Sequence, residues 1–321
     1  MARGIRMIRL THLSKRFGEL IAVDDLSLDI QEGEILGFLG PNGAGKTTTI
    51  RMLCGLLEKD AGDILWDTQA PLSETLGFCP QENLFWPRLT CLEQLIFTGR
   101  MHKLSQDASR KSALSLLGTL GLIDKQNTFA SKLSGGMKRR LNIALALVHD
   151  PPVLILDEPE AGLDPQSRIL VRDLIRYLAQ EKTVILTTHN MDEAERLVDR
   201  VAIIDQGKLL ELGSVDSLKE TLGVDDVLEI KVNDHLLPDI EEKEHPVAQL
   251  QQTLRTTPSF KDANLSRVEN KLTIRTSNAL EKLSDLTRIA RDMKLEISDI
   301  QLRKTTLEDV FIHLTGRALR E

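Results

Sequence analysis

The chain has 321 residues, of which 41% are hydrophobic and 28% are charged, the balance of an ordinary soluble globular protein. This length suggests two domains. The formal net charge of −7 argues against a protein that coats nucleic acid. The aromatic content of 3% leaves few side chains that could stack on bases.

Membrane-spanning and secreted classes are also disfavoured. No apolar stretch approaches the roughly 18 residues that cross a bilayer, and the basic N-terminus lacks the apolar segment of a signal peptide. Cys54, Cys79 and Cys91 are odd in number and form no C-x-x-C pair, which predicts buried, reduced thiols. We therefore expect a cytoplasmic chain that could still dock onto a membrane protein.

The first half of the chain begins with strands and continues with helices. Alternation over residues 26–30 predicts a half-buried strand. An apolar strand over 34–39 precedes a glycine-rich turn and a helix over 47–57, with Gly55 as its C-cap. Turn residues then become rare and leucines recur at helical spacing, which predicts an all-helical insert over about 88–150.

Strands and helices alternate again after the insert. Short apolar runs typical of strands buried in a parallel sheet occupy residues 153–156, 184–186 and 201–204. A helix from Asp164 to about Gln180 begins with an N-cap followed by Pro165, and a second helix covers 191–198. This order predicts an α/β core with a parallel sheet.

The C-terminal part reads as a separate small domain. Its predicted order is β-α-β-β-α-β, the order of ferredoxin-like domains. The elements are a strand over 228–232, a helix over 246–255, a hairpin around Asn270, a helix over 280–293 and a strand over 295–300. A last helix begins at the capping box Thr305-x-x-Glu308 and ends at Gly316. We expect domains of residues 1–220 and 221–321.

A phosphate-binding loop follows the strand over 34–39. Residues 40–47, GPNGAGKT, fit the pattern G-x-x-x-x-G-K-[ST] between a strand and a helix. The glycines let backbone N–H groups surround phosphates, and the helix N-terminus adds its positive dipole end. Lys46 supplies charge to the β- and γ-phosphates, and the Thr47 hydroxyl suits Mg²⁺. A tight turn without function is the disfavoured alternative.

Two carboxylates end the apolar strand over 153–156. Asp157 and Glu158 follow it directly, at the strand end where open α/β sheets bind ligands. Asp157 suits the coordination shell of magnesium. Glu158 suits a general base that activates water for attack on the γ-phosphate.

A third motif, LSGG at residues 133–136, precedes an apolar helix over 141–149. A Ser-Gly-Gly segment at a helix N-terminus is a second anion site, which one nucleotide loop does not need. With this motif the chain resembles the ATP-binding subunits of ABC transporters over residues 5–220. In that family, LSGG of one subunit closes on ATP held by another. The resemblance implies a P-loop NTPase core with an antiparallel β subdomain, the helical insert and, here, a small α+β C-terminal domain.

The resemblance assigns a role to each motif residue. It implies catalytic roles for Glu158, for Gln81 of the Q-loop and for the switch residue His189, and Mg²⁺ ligands at Thr47, Gln81 and Asp157. It implies ATP binding by Phe17, which would stack on adenine, and by Gly40, Pro41, Asn42, Gly43, Ala44, Gly45, Lys46, Thr47 and Thr48. The residues expected to close on the nucleotide of the other subunit are Ser134, Gly135 and Gly136, and Asp164 belongs to the D-loop, which would cross the dimer interface.

The implied function is ATP hydrolysis that drives an exporter. ATP and Mg²⁺ would join two copies of the chain head to tail at the cytoplasmic face of the membrane, acting on a separate permease and on no nucleic acid. Residues 305–316 resemble the tail of drug- and polyketide-export ATPases. This segment would support the dimer or regulate it, and the alternative is a cap that only stabilises the fold. The alternatives are a soluble ABC ATPase of translation or DNA repair, and a module that uses ATP only to dimerise. The single P-loop opposes the first, and Glu158 with His189 opposes the second.

For some residues the sequence allows both a functional and a structural interpretation. Phe17 and His189 could be structural, and residues 84–86, Leu-Phe-Trp, could be core or a groove for a partner helix. The basic run 138–140 is expected to be a solvated helix face. Glu160 stands where the family has Thr or Ser, and we expect modest repulsion between it and Glu158.

Overall fold

The computed structural model describes residues 7–222, 226–232, 246–268, 270–276, 278–293 and 295–316. The ends of the predicted domains, residues 1–6 and 317–321, lie outside the described residues. Contacts divide the chain into two compact units, one running to Val215 and the other beginning at Asp216. The division lies close to the boundary predicted after residue 220.

Two sheets form the first unit. The antiparallel sheet has the order β2-β1-β4, and its strands are β1 (Met7–Phe17), β2 (Leu20–Gln31) and β4 (Ala61–Trp66). The larger sheet has the order β5-β6-β7-β3-β8-β9, and its strands are β3 (Ile35–Leu39), β5 (Leu76–Cys79), β6 (Val153–Asp157), β7 (Thr183–Thr188), β8 (Arg200–Asp205) and β9 (Lys208–Ser214).

The parallel prediction holds for the larger sheet except at its edge. Neighbours from β5 to β8 pair in parallel, whereas β8 and β9 form an antiparallel hairpin. Gln206 and Gly207 connect them with φ of 50° and 79°, the positive values that tight hairpin turns require. Every residue of β3, β6 and β7 is buried, because strands in the centre of such a sheet are covered on both faces.

The helices of the first unit surround the larger sheet and form the insert. They are α1 (Lys46–Leu53), α2 (Leu72–Thr75), α3 (Cys91–Met101), α4 (Gln106–Thr119), α5 (Gly135–Leu147), α6 (Pro165–Ala179) and α7 (Met191–Leu197), and α8 (Val215–Glu220) begins at the division. None of the helices in the described part of the chain is long and apolar enough to cross a membrane.

Two predicted helix boundaries were wrong. Helix α1 ends at Leu53 rather than residue 57, because Gly55 takes a φ of +66° and reverses the chain. Helix α5 begins at Gly135 rather than residue 141. The Ser134 hydroxyl accepts a hydrogen bond from the Met137 N–H at 3.3 Å and so caps the helix ahead of the two glycines.

The second unit has the predicted β-α-β-β-α-β order. Its antiparallel sheet has the strand order β11-β12-β10-β13, the ferredoxin-like arrangement. The strands are β10 (Asp226–Val232), β11 (Asn264–Val268), β12 (Lys271–Thr276) and β13 (Ile297–Lys304), and the helices are α9 (Pro246–Thr256), α10 (Ala279–Asp292) and α11 (Leu307–Thr315).

The capping box of α11 lies one residue later than predicted. Thr306 is the N-cap and exchanges hydrogen bonds with Asp309, and Gly316 ends the helix with a φ of 70° as expected. Asp309 is 1% exposed and also accepts hydrogen bonds from Arg303 on β13 at 2.6 Å and from Arg275 on β12 at 2.9 Å. Burial alone would raise the pKa of Asp309, but these hydrogen bonds hold it well below its usual range. One carboxylate therefore fastens α11 to the sheet.

Candidate functional site

Three neighbouring strands deliver the predicted chemical groups to one edge of the larger sheet. The order β6-β7-β3 places three strand ends side by side. Asp157 is the last residue of β6, His189 follows β7, and the loop from Gly40 follows β3. Because these strands are parallel, their carboxyl ends meet at the same edge, where α/β sheets bind ligands.

The loop between β3 and α1 packs so closely that two of its glycines are obligatory. A Cβ atom at Gly40 would lie 2.1 Å from the Ile204 carbonyl oxygen. A Cβ atom at Gly45 would lie 2.4 Å from the Ala22 carbonyl oxygen, and the φ of Gly45 is +105°. Gly45 is also the N-cap of α1 and offers no side-chain cap, so a phosphate can accept from the first N–H groups of that helix.

Lys46 lies inside this loop. It is 6% exposed, and its Nζ donates to the carbonyl oxygens of Gly40 at 2.7 Å and Pro41 at 3.1 Å. The same atom lies 3.7 Å from a carboxylate oxygen of Glu158. Burial lowers the pKa of Lys46, and the charges of Glu158 and Asp157 oppose that shift. The ammonium group is therefore held where bound phosphates would need a positive charge.

Asp157 and Thr47 form an oxygen-rich pair beside the lysine. Asp157 is 3% exposed, and its Oδ1 accepts hydrogen bonds from the Thr47 hydroxyl at 3.3 Å and the Thr187 hydroxyl at 2.5 Å. A carboxylate and a hydroxyl next to a phosphate-binding loop are the donors that Mg²⁺ prefers. These two residues therefore fit a magnesium site.

Glu158 is held in an unusual backbone conformation. Its φ is 49°, and its N–H donates to the Thr187 hydroxyl at 2.9 Å. Positive φ in a residue other than glycine is costly and often marks a functional site. Its Oε2 lies 2.9 Å from Nδ1 of His189, whose side chain is 51% exposed. The carboxylate thus has a partner that is itself open to an incoming ligand.

The remaining predicted residues lie in other places. Asn42, Gly43, Ala44 and Thr48 belong to the loop and to the first turn of α1, and Phe17 at the end of β1 is 49% exposed. Gln81, Ser134, Gly135 and Asp164 are also exposed. Among the described residues, no hydrogen bond or ion pair joins Ser134, Gly135, Gly136 or Asp164 to Lys46, Thr47 or Glu158.

The LSGG segment instead approaches the start of α6. A Cβ atom at Gly136 would lie 2.2 Å from the Ser167 hydroxyl and 2.7 Å from its Cβ. That hydroxyl donates to Asp164 at 2.6 Å, and Asp164 caps α6 by accepting from the Ser167 N–H at 2.9 Å. No atom lies within 4 Å of a Cβ built on Gly135. Position 135, at the start of α5, therefore faces open space.

The sequence of the whole chain also matches known proteins. The family model described as ABC transporter matches residues 23–161. The linearmycin resistance ATP-binding protein LnrL of Bacillus subtilis is 34% identical over 98% of this chain and over all of that protein. The daunorubicin resistance ATP-binding protein DrrA3 of Streptomyces coeruleorubidus is 36% identical, over 94% of this chain and 93% of that protein. The chain belongs to the ABC transporter family of ATP-binding proteins.

Further relatives and solved structures agree with this membership. The Nod factor export ATP-binding protein I of Burkholderia lata is 44% identical to this ABC protein over 70% of its chain and 76% of the relative. A solved ATP-binding subunit of an ABC transporter superposes with a TM-score of 0.61 at 26% identity, over 68% of this chain and 93% of that one. A dimeric ATP-binding cassette with ADP and Pi gives a TM-score of 0.58 at 26% identity, over 64% of this chain and 98% of that one. This ABC protein therefore binds ATP and is an ATPase.

Three features of this ABC protein were not anticipated from its sequence. Thr187 bridges Asp157 and the Glu158 N–H, and only its polarity at the end of an apolar strand could have indicated this. Arg172 on α6 pairs with Glu160 at 2.9 Å, which balances the second carboxylate near Glu158. Arg139 is 3% exposed, so the prediction of a solvated face over 138–140 was wrong for that residue.

The apolar segment after Gln81 is a surface feature. Leu84 and Trp86 are 61% and 43% exposed, which excludes the core alternative for both. Trp86 meets the half-exposed Phe97 edge to face, with ring centroids 5.0 Å apart. Leu84 and Trp86 line a groove of about 420 Å³ between the larger sheet and the helical insert, which also contains Leu56, Leu72 and Leu145.

Proposed function

We propose that this protein is the ATP-hydrolysing subunit of an exporter, which works as a head-to-tail dimer on a separate membrane permease. The observation that carries the proposal is the separation of the site into two parts. The phosphate loop, Asp157, Glu158 and His189 lie together, whereas Ser134 and Gly135 are exposed and have no bond to them. A second copy, turned around, would bring its own Ser134 to the ATP held by the first.

The first part of the site binds and orients ATP. The N–H groups from Gly43 to Thr48 and the Lys46 ammonium would hold the phosphates, and Phe17 would stack on adenine. Thr47, Asp157 and Gln81 would hold Mg²⁺. When bound, Mg²⁺ would offset negative charge on the β- and γ-phosphates.

Glu158 would act as the general base. The attacking water gives a proton to the Glu158 carboxylate while its oxygen bonds to the γ-phosphorus. The bond between that phosphorus and the bridging oxygen breaks, and ADP and inorganic phosphate result. His189, 2.9 Å from the same carboxylate, would orient Glu158 and contact the γ-phosphate. The N–H groups at the start of α5 of the other copy would complete the shell around that phosphate.

The groove containing Leu84 and Trp86 is the proposed docking site for the permease. Leu84 and Trp86, which line this groove, follow Gln81 closely in the chain. Movement of the permease at the groove could therefore shift Gln81, which would lie at the nucleotide. Relatives are named for linearmycin resistance, daunorubicin resistance and Nod factor export. We extend export to this chain, which would act at the cytoplasmic face of the membrane.

The dimer is tested with Glu158→Gln. This variant should bind ATP without hydrolysing it and should accumulate as a dimer on size-exclusion chromatography with light scattering. Lys46→Ala should bind no ATP and remain monomeric, which provides the matched control. A Glu158→Gln variant that binds ATP but stays monomeric would contradict the proposal.

The docking site is tested separately with Trp86→Ala. The variant should lose association with the permease in mild detergent while its affinity for ATP stays at the wild-type level. Undiminished assembly would count against this groove as the docking site and would leave the ATPase proposal standing.

A further inference from the structure

Arg139 is a buried cation whose hydrogen bonds, as far as the structure describes the chain, all go to backbone oxygens. All three nitrogens of its guanidinium are engaged. Nε donates to Pro159 O at 3.0 Å, Nη2 donates to Asp157 O at 2.7 Å, and Nη1 donates to Pro80 O at 2.5 Å and to Gln81 O at 3.3 Å. Within the described ranges no carboxylate lies within ion-pair distance of it. Burying a charge is costly unless hydrogen bonds compensate, and here four carbonyl dipoles do so.

These four carbonyls belong to two segments that carry predicted catalytic residues. Pro80 and Gln81 begin the Q-loop after β5, and Asp157 and Pro159 lie on either side of Glu158. Strands β5 and β6 are neighbours, but their pairing ends at Cys79 and Leu156. Beyond that point Arg139 joins the two segments directly.

The contacts also support the backbone of Glu158. A residue at a φ of 49° stays there only when its surroundings fix it. The Glu158 N–H is bonded to Thr187, and Arg139 binds the carbonyls of the residues before and after it. The planes of these peptides, and hence the direction of the Glu158 side chain, are set in part by Arg139.

A second residue of α5 gives a useful contrast. The Asn142 side chain accepts from Leu84 N at 3.1 Å and donates to Glu82 O at 3.4 Å and to Cys79 Sγ at 3.3 Å. Asn142 therefore holds the Q-loop, and in the part of the chain that the structure describes its side chain makes no hydrogen bond to the residues around Glu158. Replacing Asn142 therefore loosens the Q-loop alone, whereas replacing Arg139 also removes the connection between the Q-loop and the residues around Glu158.

We propose that Arg139 is a positioning residue that holds Gln81 in register with Glu158 and transmits movement of the Q-loop to the catalytic carboxylate. The inference rests on the proposed roles of those two residues in ATP hydrolysis. Among the residues described, Arg139 makes no hydrogen bond or ion pair with the phosphate-binding loop, and for that reason its loss should alter turnover and not nucleotide affinity.

The test compares steady-state ATPase activity of Arg139→Met, Arg139→Lys and Asn142→Ala with that of the wild type. We expect Arg139→Met to lower kcat on the order of 10- to 100-fold, the loss typical of a reacting group displaced by about 1 Å. Its KM for ATP should stay within about two-fold. Arg139→Lys, which keeps the charge but not the three-nitrogen geometry, should recover part of kcat, and Asn142→Ala should have the smaller effect.

The kcat of a double variant with Gln81→Ala distinguishes a positioning role of Arg139 from a merely structural one. Gln81→Ala should lower kcat in the wild type and add little in Arg139→Met, because the register that it depends on is already lost. Trp86 supplies a second readout. In a Trp66→Phe background it is the only tryptophan, and acrylamide should quench it more in both Arg139→Met and Asn142→Ala.

Three results would overturn the proposal. They are a kcat of Arg139→Met within two-fold of the wild type, strictly additive effects with Gln81→Ala, and a fall in kcat that matches a fall in the nucleotide-binding fraction. If Arg139→Met does not fold, Arg139→Lys carries the same comparison. A wild-type protein that does not hydrolyse ATP would refute the proposed function instead, and this result is distinguishable from the other three.

Discussion

Replacing Glu160 with threonine tests whether Arg172 neutralises the Glu160 carboxylate, which lies two residues after Glu158. The Glu160 side chain is 1% exposed and that of Arg172 is 15% exposed. Two guanidinium nitrogens donate to the two carboxylate oxygens, at 2.9 Å and 3.3 Å. The pair joins the segment after Glu158 to α6, and its hydrogen bond raises the pKa of Arg172.

The magnitude follows from this burial. Removing one member of a buried ion pair costs about 3–5 kcal/mol, since the other charge is left without a partner. Arg172 retains some access to water, which favours the lower end, about 3 kcal/mol. A unit of this size loses about 2–4 °C in Tm for each kcal/mol, so Glu160→Thr should lower Tm by roughly 6–12 °C.

The assay is thermal unfolding followed by circular dichroism, with Arg172→Met and the double variant as controls. Arg172→Met alone should also destabilise, because it leaves Glu160 buried and unpaired. The double variant should recover most of the lost stability, since neither charge remains. A Tm of Glu160→Thr within 2 °C of the wild type, or a double variant as unstable as the sum of the single variants, would refute this reasoning.

Three other perturbations test separate contacts. Gly136→Ala should lower Tm and ATPase activity because its Cβ would lie 2.2 Å from the Ser167 hydroxyl. Adding Ser167→Gly should restore both. A Gly136→Ala variant with unchanged Tm and activity would count against this packing. Burial and the stacked ring of His102 lower the pKa of His149 from 6.5 to about 4, so its neutral form contributes stability above pH 6.5 that is lost as the pH falls towards 4. Tm should therefore fall less steeply in His149→Gln over that range, and equal slopes would contradict the assignment. Asp309→Asn should destabilise the second unit by about 3 kcal/mol in urea unfolding. The stability that wild-type Asp309 contributes should be lost only below about pH 4, because the pKa of Asp309 is lowered. An unchanged urea midpoint in Asp309→Asn would exclude this role.

The sequence predicts the parts of the site that lie within one short motif. The spacing of Gly40, Lys46 and Thr47 requires a strand, a loop and a helix, and that local geometry is what the structure contains. Asp157 follows a short apolar run typical of a strand buried in a parallel sheet, so its place at the end of β6 could also be predicted.

Contacts between distant segments could not be predicted in this way. Arg139 stands in a basic run that looks like a solvated surface, and its burial follows from carbonyls about 20 and 60 residues away in the chain. The capping box was misplaced because Thr305 and Thr306 each have an acidic residue three positions later. Thr305 is 4% exposed, so packing decides between them.

The central claim, that each ATP site is built from two copies of the chain, is tested most directly by mixing two inactive variants. Lys46→Ala removes the phosphate contact, and Ser134→Arg blocks the start of α5 with a large side chain. In a head-to-tail dimer of one variant with the other, both defects fall in one site and the second site is intact. Neither variant forms an ATP-bound dimer with itself, and each mixed dimer has one working site of two, so the mixture should recover up to about half of wild-type ATP turnover. A mixture as inactive as its components, with both variants folded, would contradict the account.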